Sequence, residues 1–163
     1  MSDVRRGAGA LVATALYAAA MGWVEAVVVV YIRAVLGFPF RAPVPSPGDL
    51  ERLLMRAPWL IPTEQSREAA TIIMLLTVGW LAGSRAWSRF GAFVLAFGVW
   101  DIAYYLGLYV LLRWPPSLAT RDLLFLIPPG PWWYQPVWEP VAISCLMIAG
   151  GAWLHRRVER APH

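Results

Sequence analysis

Acidic residues stand inside or at the edge of four long apolar runs of this chain. Asp101 sits in the middle of "FGVWDIAYYLGLYV", and Glu25 follows small residues in "YAAAMGWVEAVVVV". Glu68 opens "REAATIIMLLTVGWLAG" and Glu139 opens "WEPVAISCLMIAGG". A charged side chain at the centre of a bilayer costs about 2.5–3.5 kcal/mol on insertion scales. Four such charges without partners would rival the whole stability of a domain, about 5–15 kcal/mol. They must therefore be paired, protonated, hydrated or bound to a cation. Arg33, Arg67 and Arg121 are candidate charge partners, and Tyr104, Tyr105 and Tyr109 are candidate hydroxyl donors.

Three chemistries fit this pattern. In the first, carboxylates and aromatic rings hold a cation or a cationic small molecule, with proton coupling. Glu25 and Asp101 would carry the charge, Trp100, Tyr104 and Tyr105 would shape the pocket, and Glu68 and Glu139 would line its mouth. In the second, the acids hold a metal in a membrane-embedded enzyme. The chain has only two histidines, His155 and His163, and no H-x-x-x-H or E-x-x-H pair. A carboxylate-only site would take a hard divalent cation, Mg, Mn or Ca; no other cofactor is predicted. In the third, the acids pair with Arg or Tyr and join the helices as a structural network. The group Glu64, Arg67 and Glu68 in "EQSREAAT" also reads as a helix-start cluster favoured by the dipole. His155, beside Arg156 and Arg157, reads as an interfacial anchor, and the single cysteine, Cys145, as a small buried hydrophobe.

Other chemistries lack their residues. Ser66, Ser84, Ser88, Ser117 and Ser144 have no histidine near them in sequence, and G-x-S-x-G is absent. No P-loop or G-x-G-x-x-G opens a helix.

The elements that must position the acids are membrane-spanning helices. The chain has 163 residues, of which 59% are hydrophobic and 15% charged, against about 45–50% and 25% in soluble domains. Four segments approach the roughly 20 helical residues that cross a bilayer. They cover about 8–36, 68–83, 90–112 and 137–154. The first begins like a signal peptide but continues without a break through "GWVEAVVVVYI", as a spanning helix does. The expected fold is an all-α integral membrane protein, one domain over 1–163, with four transmembrane helices and two outer loops, 37–67 and 113–136. These loops are expected to carry short interfacial or re-entrant helices, one in "GDLERLLMRAPWL" capped near Asp49 and carrying Leu53, Leu54 and Trp59, the other in "LLFLI". Prolines with Trp132, Trp133 and Tyr134 would form a rigid cap at headgroup level.

At 1.5 Å per residue, Asp101 lies roughly 16 Å from Phe90, near the bilayer midplane. Glu25 lies roughly 21 Å above Leu11, and Glu68 and Glu139 roughly 25 Å above Arg85 and His155. At 100° per residue each acid shares its face with small residues, where membrane helices pack. Thr14, Ala18, Met21 and Gly22 accompany Glu25. Glu64, Thr71, Leu75 and Gly79 accompany Glu68. Phe97, Gly98, Tyr104 and Tyr105 accompany Asp101, and Ala142, Leu146 and Gly150 accompany Glu139.

All 14 basic residues are arginine, and they flank apolar runs rather than forming a stripe, which argues against nucleic acid as a partner. The expected partners are the lipid bilayer, the cation itself, and a second copy of the chain in a homodimer. Arg5, Arg6, Arg85, Arg89, Arg156, Arg157 and Arg160 lie in short segments, which places both termini on the cytoplasmic side of a bacterial inner membrane.

"FGVWDIAYYLGLYVLLRWP", "RDLLFLIPPGPWW" and "WEPVAIS", preceded by "REAATIIMLLTVGWLAG", resemble a group of uncharacterised bacterial four-span membrane proteins. That resemblance covers roughly residues 64 to 148 and implies a topology. A looser likeness, in "YAAAMGWVEA", is to small multidrug transporters, from which this chain departs by its long outer loops and extra acids.

Overall fold

The structure, a computed structural model, describes residues 2–39, 57–127 and 133–161 and the isolated positions 42, 46, 48, 52 and 55; for residues 2–6 it describes the backbone alone. In chain order the elements are α1 (Ser2–Val35), α2 (Leu60–Ala82), α3 (Ala86–Leu112), β1 (Arg121–Leu123), β2 (Tyr134–Pro136) and α4 (Trp138–Arg160). Among the described residues, the helices over Gly7–Val35 and Ala86–Leu112 are long and apolar enough to cross a membrane.

Each helix end has a local cause. α1 stops at Gly37, whose φ of +68° is the left-handed conformation that favours glycine. Phe38 N then donates to Arg33 O and Gly37 N to Ala34 O, the paired bonds of a Schellman turn. α2 begins eight residues before the expected start at Glu68. Pro62 falls in its first turn, where a missing N–H breaks no helical bond. α3 ends on Arg113, at φ 54°, ahead of Pro115 and Pro116. α4 runs on to Arg160, beyond the expected 154, because basic residues suit a helix C-terminus.

α3 is the axis of the bundle, and small residues set how closely the others approach it. A Cβ at Gly107 would lie 2.7 Å from Ala26 of α1. One at Gly79 of α2 would lie 2.8 Å from Phe93, and one at Gly98 would lie 2.6 Å from the carbonyl of Ser144 on α4. Gly91 and Gly151 face each other across the same α3–α4 seam.

The faces expected to point inward do so on three helices. Thr14, Ala18 and Glu25 are buried on α1, Glu68, Thr71 and Leu75 on α2, and Asp101 and Tyr105 on α3. On α4 the register is different. Leu146 is 75% exposed, while Pro140, Ser144, Gly151 and His155 are buried. The small residues that decide the seam are Ser144 and Gly151, not Ala142 and Gly150. Two further expectations are corrected with it. Cys145 is exposed. His155 is 1% exposed, its Nδ1 3.1 Å from Ser88 O, so it is a packing residue of the seam rather than an interfacial anchor.

The segment after α3 holds a two-stranded antiparallel ribbon in place of a short helix, with Asp122 opposite Gln135. "LLFLI" continues from β1 as an irregular strap, bonded through Leu124 N to Trp133 O. The expected short helix around Asp49, Leu53 and Leu54, and Trp132 of the cap, lie outside the described residues.

Candidate functional site

One cavity of about 150 Å³ gathers most of the buried charge. α1 supplies Glu25 and Arg33, α2 supplies Glu64, Arg67 and Glu68, α3 supplies Asp101, and β1 supplies Asp122. Trp100, Tyr104 and Phe125 form its aromatic wall, and the strap from Leu123 to Leu126 lines one side of it. Trp100 stacks on Phe125 with centroids 6.0 Å apart and on Tyr104 at 6.4 Å.

Each polar group has a distinct anchor. Arg67 pairs with Glu25 across the α1–α2 contact and with Glu64 on its own helix. Its Nε also donates to Glu64 Oε1 at 2.9 Å. Leu126 N donates to both carboxylate oxygens of Glu68 at 3.0 Å. Ser144 Oγ donates to Asp101 Oδ2 at 2.8 Å. Arg33 is buried, stacked 4.8 Å over Trp114, and donates to Ala42 O.

Asp122 was not anticipated. It is 4% exposed, and Tyr105 Oη donates to its Oδ2 at 3.2 Å while Leu123 N donates to its Oδ1 at 2.9 Å. Burial pushes its carboxyl up to about 7, against the opposing pull of these two donors and of Arg33. In the ribbon Arg121 is exposed and its neighbour Asp122 faces inward, as alternation along a strand requires.

Of the residues expected at the site, Glu25, Glu68, Trp100, Asp101 and Tyr104 meet at this cavity, as do Arg33 and Arg67. Three do not line it. Tyr105 stands behind Asp122 as its donor. Glu139 is in the first turn of α4, away from the cavity, because α4 turns its seam residues inward instead. Arg121 is exposed and lies over Tyr134, 5.6 Å from the ring centroid. Glu64, read as a helix-start residue, lies beyond the first turn of α2, which contains no acid. Its role is to hold Arg67.

Among the described residues, no three His, Cys, Asp or Glu side chains converge as metal ligands do. Among the described residues, five carboxyl groups and two guanidinium groups line the cavity. No family model, curated protein or solved structure matches the chain. The reading of the site therefore rests on its own geometry.

Proposed function

We propose that the chain is a four-span protein of a bacterial inner membrane, with both termini cytoplasmic, whose cavity binds a cation or cationic small molecule in exchange with protons. Large apolar side chains are exposed on all four helices, among them Leu16 and Trp23 on α1, Ile73 and Leu76 on α2, Leu106 and Val110 on α3, and Ile143 and Leu146 on α4. Water penalises such a surface; lipid does not. The resemblance to four-span bacterial proteins supports the same topology.

The observation that carries the binding reading is the unequal charge lining the cavity among the described residues, five carboxyl groups to two guanidinium groups, of which Glu25, Glu68, Asp101, Asp122 and Arg33 are buried. Buried carboxylates without counter-charge are costly, so protons or a cation must balance the excess. Aromatic faces beside carboxylates are a fitting surface for an organic cation. A cavity of about 150 Å³ suits a ligand of a few heavy atoms.

The competing reading is a structural network, favoured by the Glu25–Arg67–Glu64 triad and the Ser144–Asp101 bond. Calorimetric titration of the purified protein with tetramethylammonium, at several pH values, separates the two. Binding is expected to strengthen as pH rises and to weaken at least tenfold in Glu25→Gln and Asp101→Asn. Absence of binding at every pH, or affinity unchanged in both variants, leaves the structural network.

A further inference from the structure

The last turns of α4 form a second charged surface, separate from the cavity. Trp153, Arg156, Arg157 and Arg160 are all exposed and recur on one helix face, above Ala149 and Ala152. Arg157 lies 5.0 Å from the centroid of the Trp153 ring. No carboxylate pairs with Arg156, Arg157 or Arg160 among the described residues. The neighbouring acid, Glu159, is engaged elsewhere, accepting from both N and Oγ of Ser84 at 2.8 Å.

Those contacts, with Arg85 Nη1 donating to Val158 O, bring the turn between α2 and α3 to the same end of the bundle. There Arg89 lies 3.9 Å from the centroid of the exposed Trp80 ring, and Trp87 is 66% exposed. Arginine beside exposed tryptophan is the composition of a membrane–water interface. The helix dipole of α4 offers about half a negative charge at its C-terminus, which cannot balance three guanidinium groups.

We infer that this face of α4 holds the headgroup of an anionic phospholipid. Arg156, Arg157 and Arg160 bind the phosphate, Trp153 sits at the glycerol level, and the small side chains of Ala149 and Ala152 leave room for an acyl chain beside the helix. Guanidinium groups match phosphate oxygens in geometry as well as charge. The inference rests on α4 being a membrane span.

The test is native mass spectrometry of the full chain released from nanodiscs containing phosphatidylglycerol and phosphatidylcholine. Wild type is expected to retain phosphatidylglycerol at least tenfold over phosphatidylcholine. The triple variant R156Q/R157Q/R160Q should retain the two lipids about equally, because each arginine near a charged surface contributes to the preference. Arg113→Gln, at the opposite end of α3, should keep it. Equal retention of both lipids by wild type, an unchanged preference in the triple variant, or displacement of the lipid by millimolar inorganic phosphate would overturn the inference. A chain that stays in water without detergent sinks the membrane reading as well; a chain that enters the nanodisc but ignores headgroup charge sinks this inference alone.

Discussion

Ser144 of α4 donates its hydroxyl to Asp101 of α3, so a carboxyl group set within an apolar helix is anchored by a bond from its neighbour. Both residues are buried, at 2% and 6% exposure. Removing the donor leaves a buried acceptor unsatisfied, which costs about 1–3 kcal/mol. Ser144→Ala should therefore lower thermal stability in detergent by that amount. Asp101→Asn keeps the shape and an acceptor oxygen, so its melting temperature should move less, while tetramethylammonium binding falls. Equal losses of stability in the two variants would make Asp101 a structural residue.

Arg67 holds two acids at once. Replacing it with Gln strands Glu25 and Glu64 beside each other; breaking a fully buried pair from one side costs about 3–5 kcal/mol, and this half-buried one should cost less. Glu25→Gln added to Arg67→Gln should recover part of that loss, because one stranded charge is gone. A double-mutant cycle read by thermal unfolding measures the coupling. Additive effects would show that the Arg67–Glu25 pair is not a linked unit.

The glycines give a sharp internal contrast. A methyl group at Gly98 would meet the Ser144 carbonyl at 2.6 Å, whereas at Gly150 it would meet nothing within 4 Å. Overpacking typically costs about 1–3 kcal/mol. Gly98→Ala should destabilise by that range, and Gly150→Ala should be neutral or slightly stabilising through helix propensity. Melting curves of the two purified variants decide it, and a neutral Gly98→Ala would contradict the seam.

Asp122 makes stability depend on pH. Its carboxyl, near 3.8 in an unfolded chain, is pushed up to about 7 in the fold by burial. Between these values the folded state binds more protons than the unfolded state, so this contribution weakens as pH rises from about 4 through 7. Asp122→Asn should flatten that part of the profile. Melting temperatures of wild type and variant across pH 4 to 8 provide the check; parallel profiles would refute it.

Glu25, Glu68 and Asp101 on the first three helices were legible because their spacing from small residues marks the packed face. Glu25, Glu68 and Asp101 followed directly from that rule, and all three reach the cavity. The rule misled on α4, where small residues occur on two faces. Only contact with Gly91 and Gly98 of α3 chooses Ser144 and Gly151 over Ala142 and Gly150. Asp122 escaped because a three-residue strand is too short to show periodicity. The bonds from Leu126 to Glu68 join residues 58 apart in the chain, and no local pattern encodes such a pair.

Stiffness is unevenly distributed through this architecture. α3 and α4 interlock backbone to backbone at Gly91, Gly98, Ser144 and Gly151, and α1 nests against α3 at Gly22 and Gly107. α2 has one such backbone contact, Gly79 against Phe93, and is otherwise tied through Arg67 to Glu25 and through Gln65 and Glu68 to the backbone of Leu126. Those last attachments are polar, and the one made by Glu68 depends on its carboxylate. A rocking α2 would carry Glu64, Arg67 and Glu68 with it, making the helix a charge-bearing lever against a fixed three-helix frame.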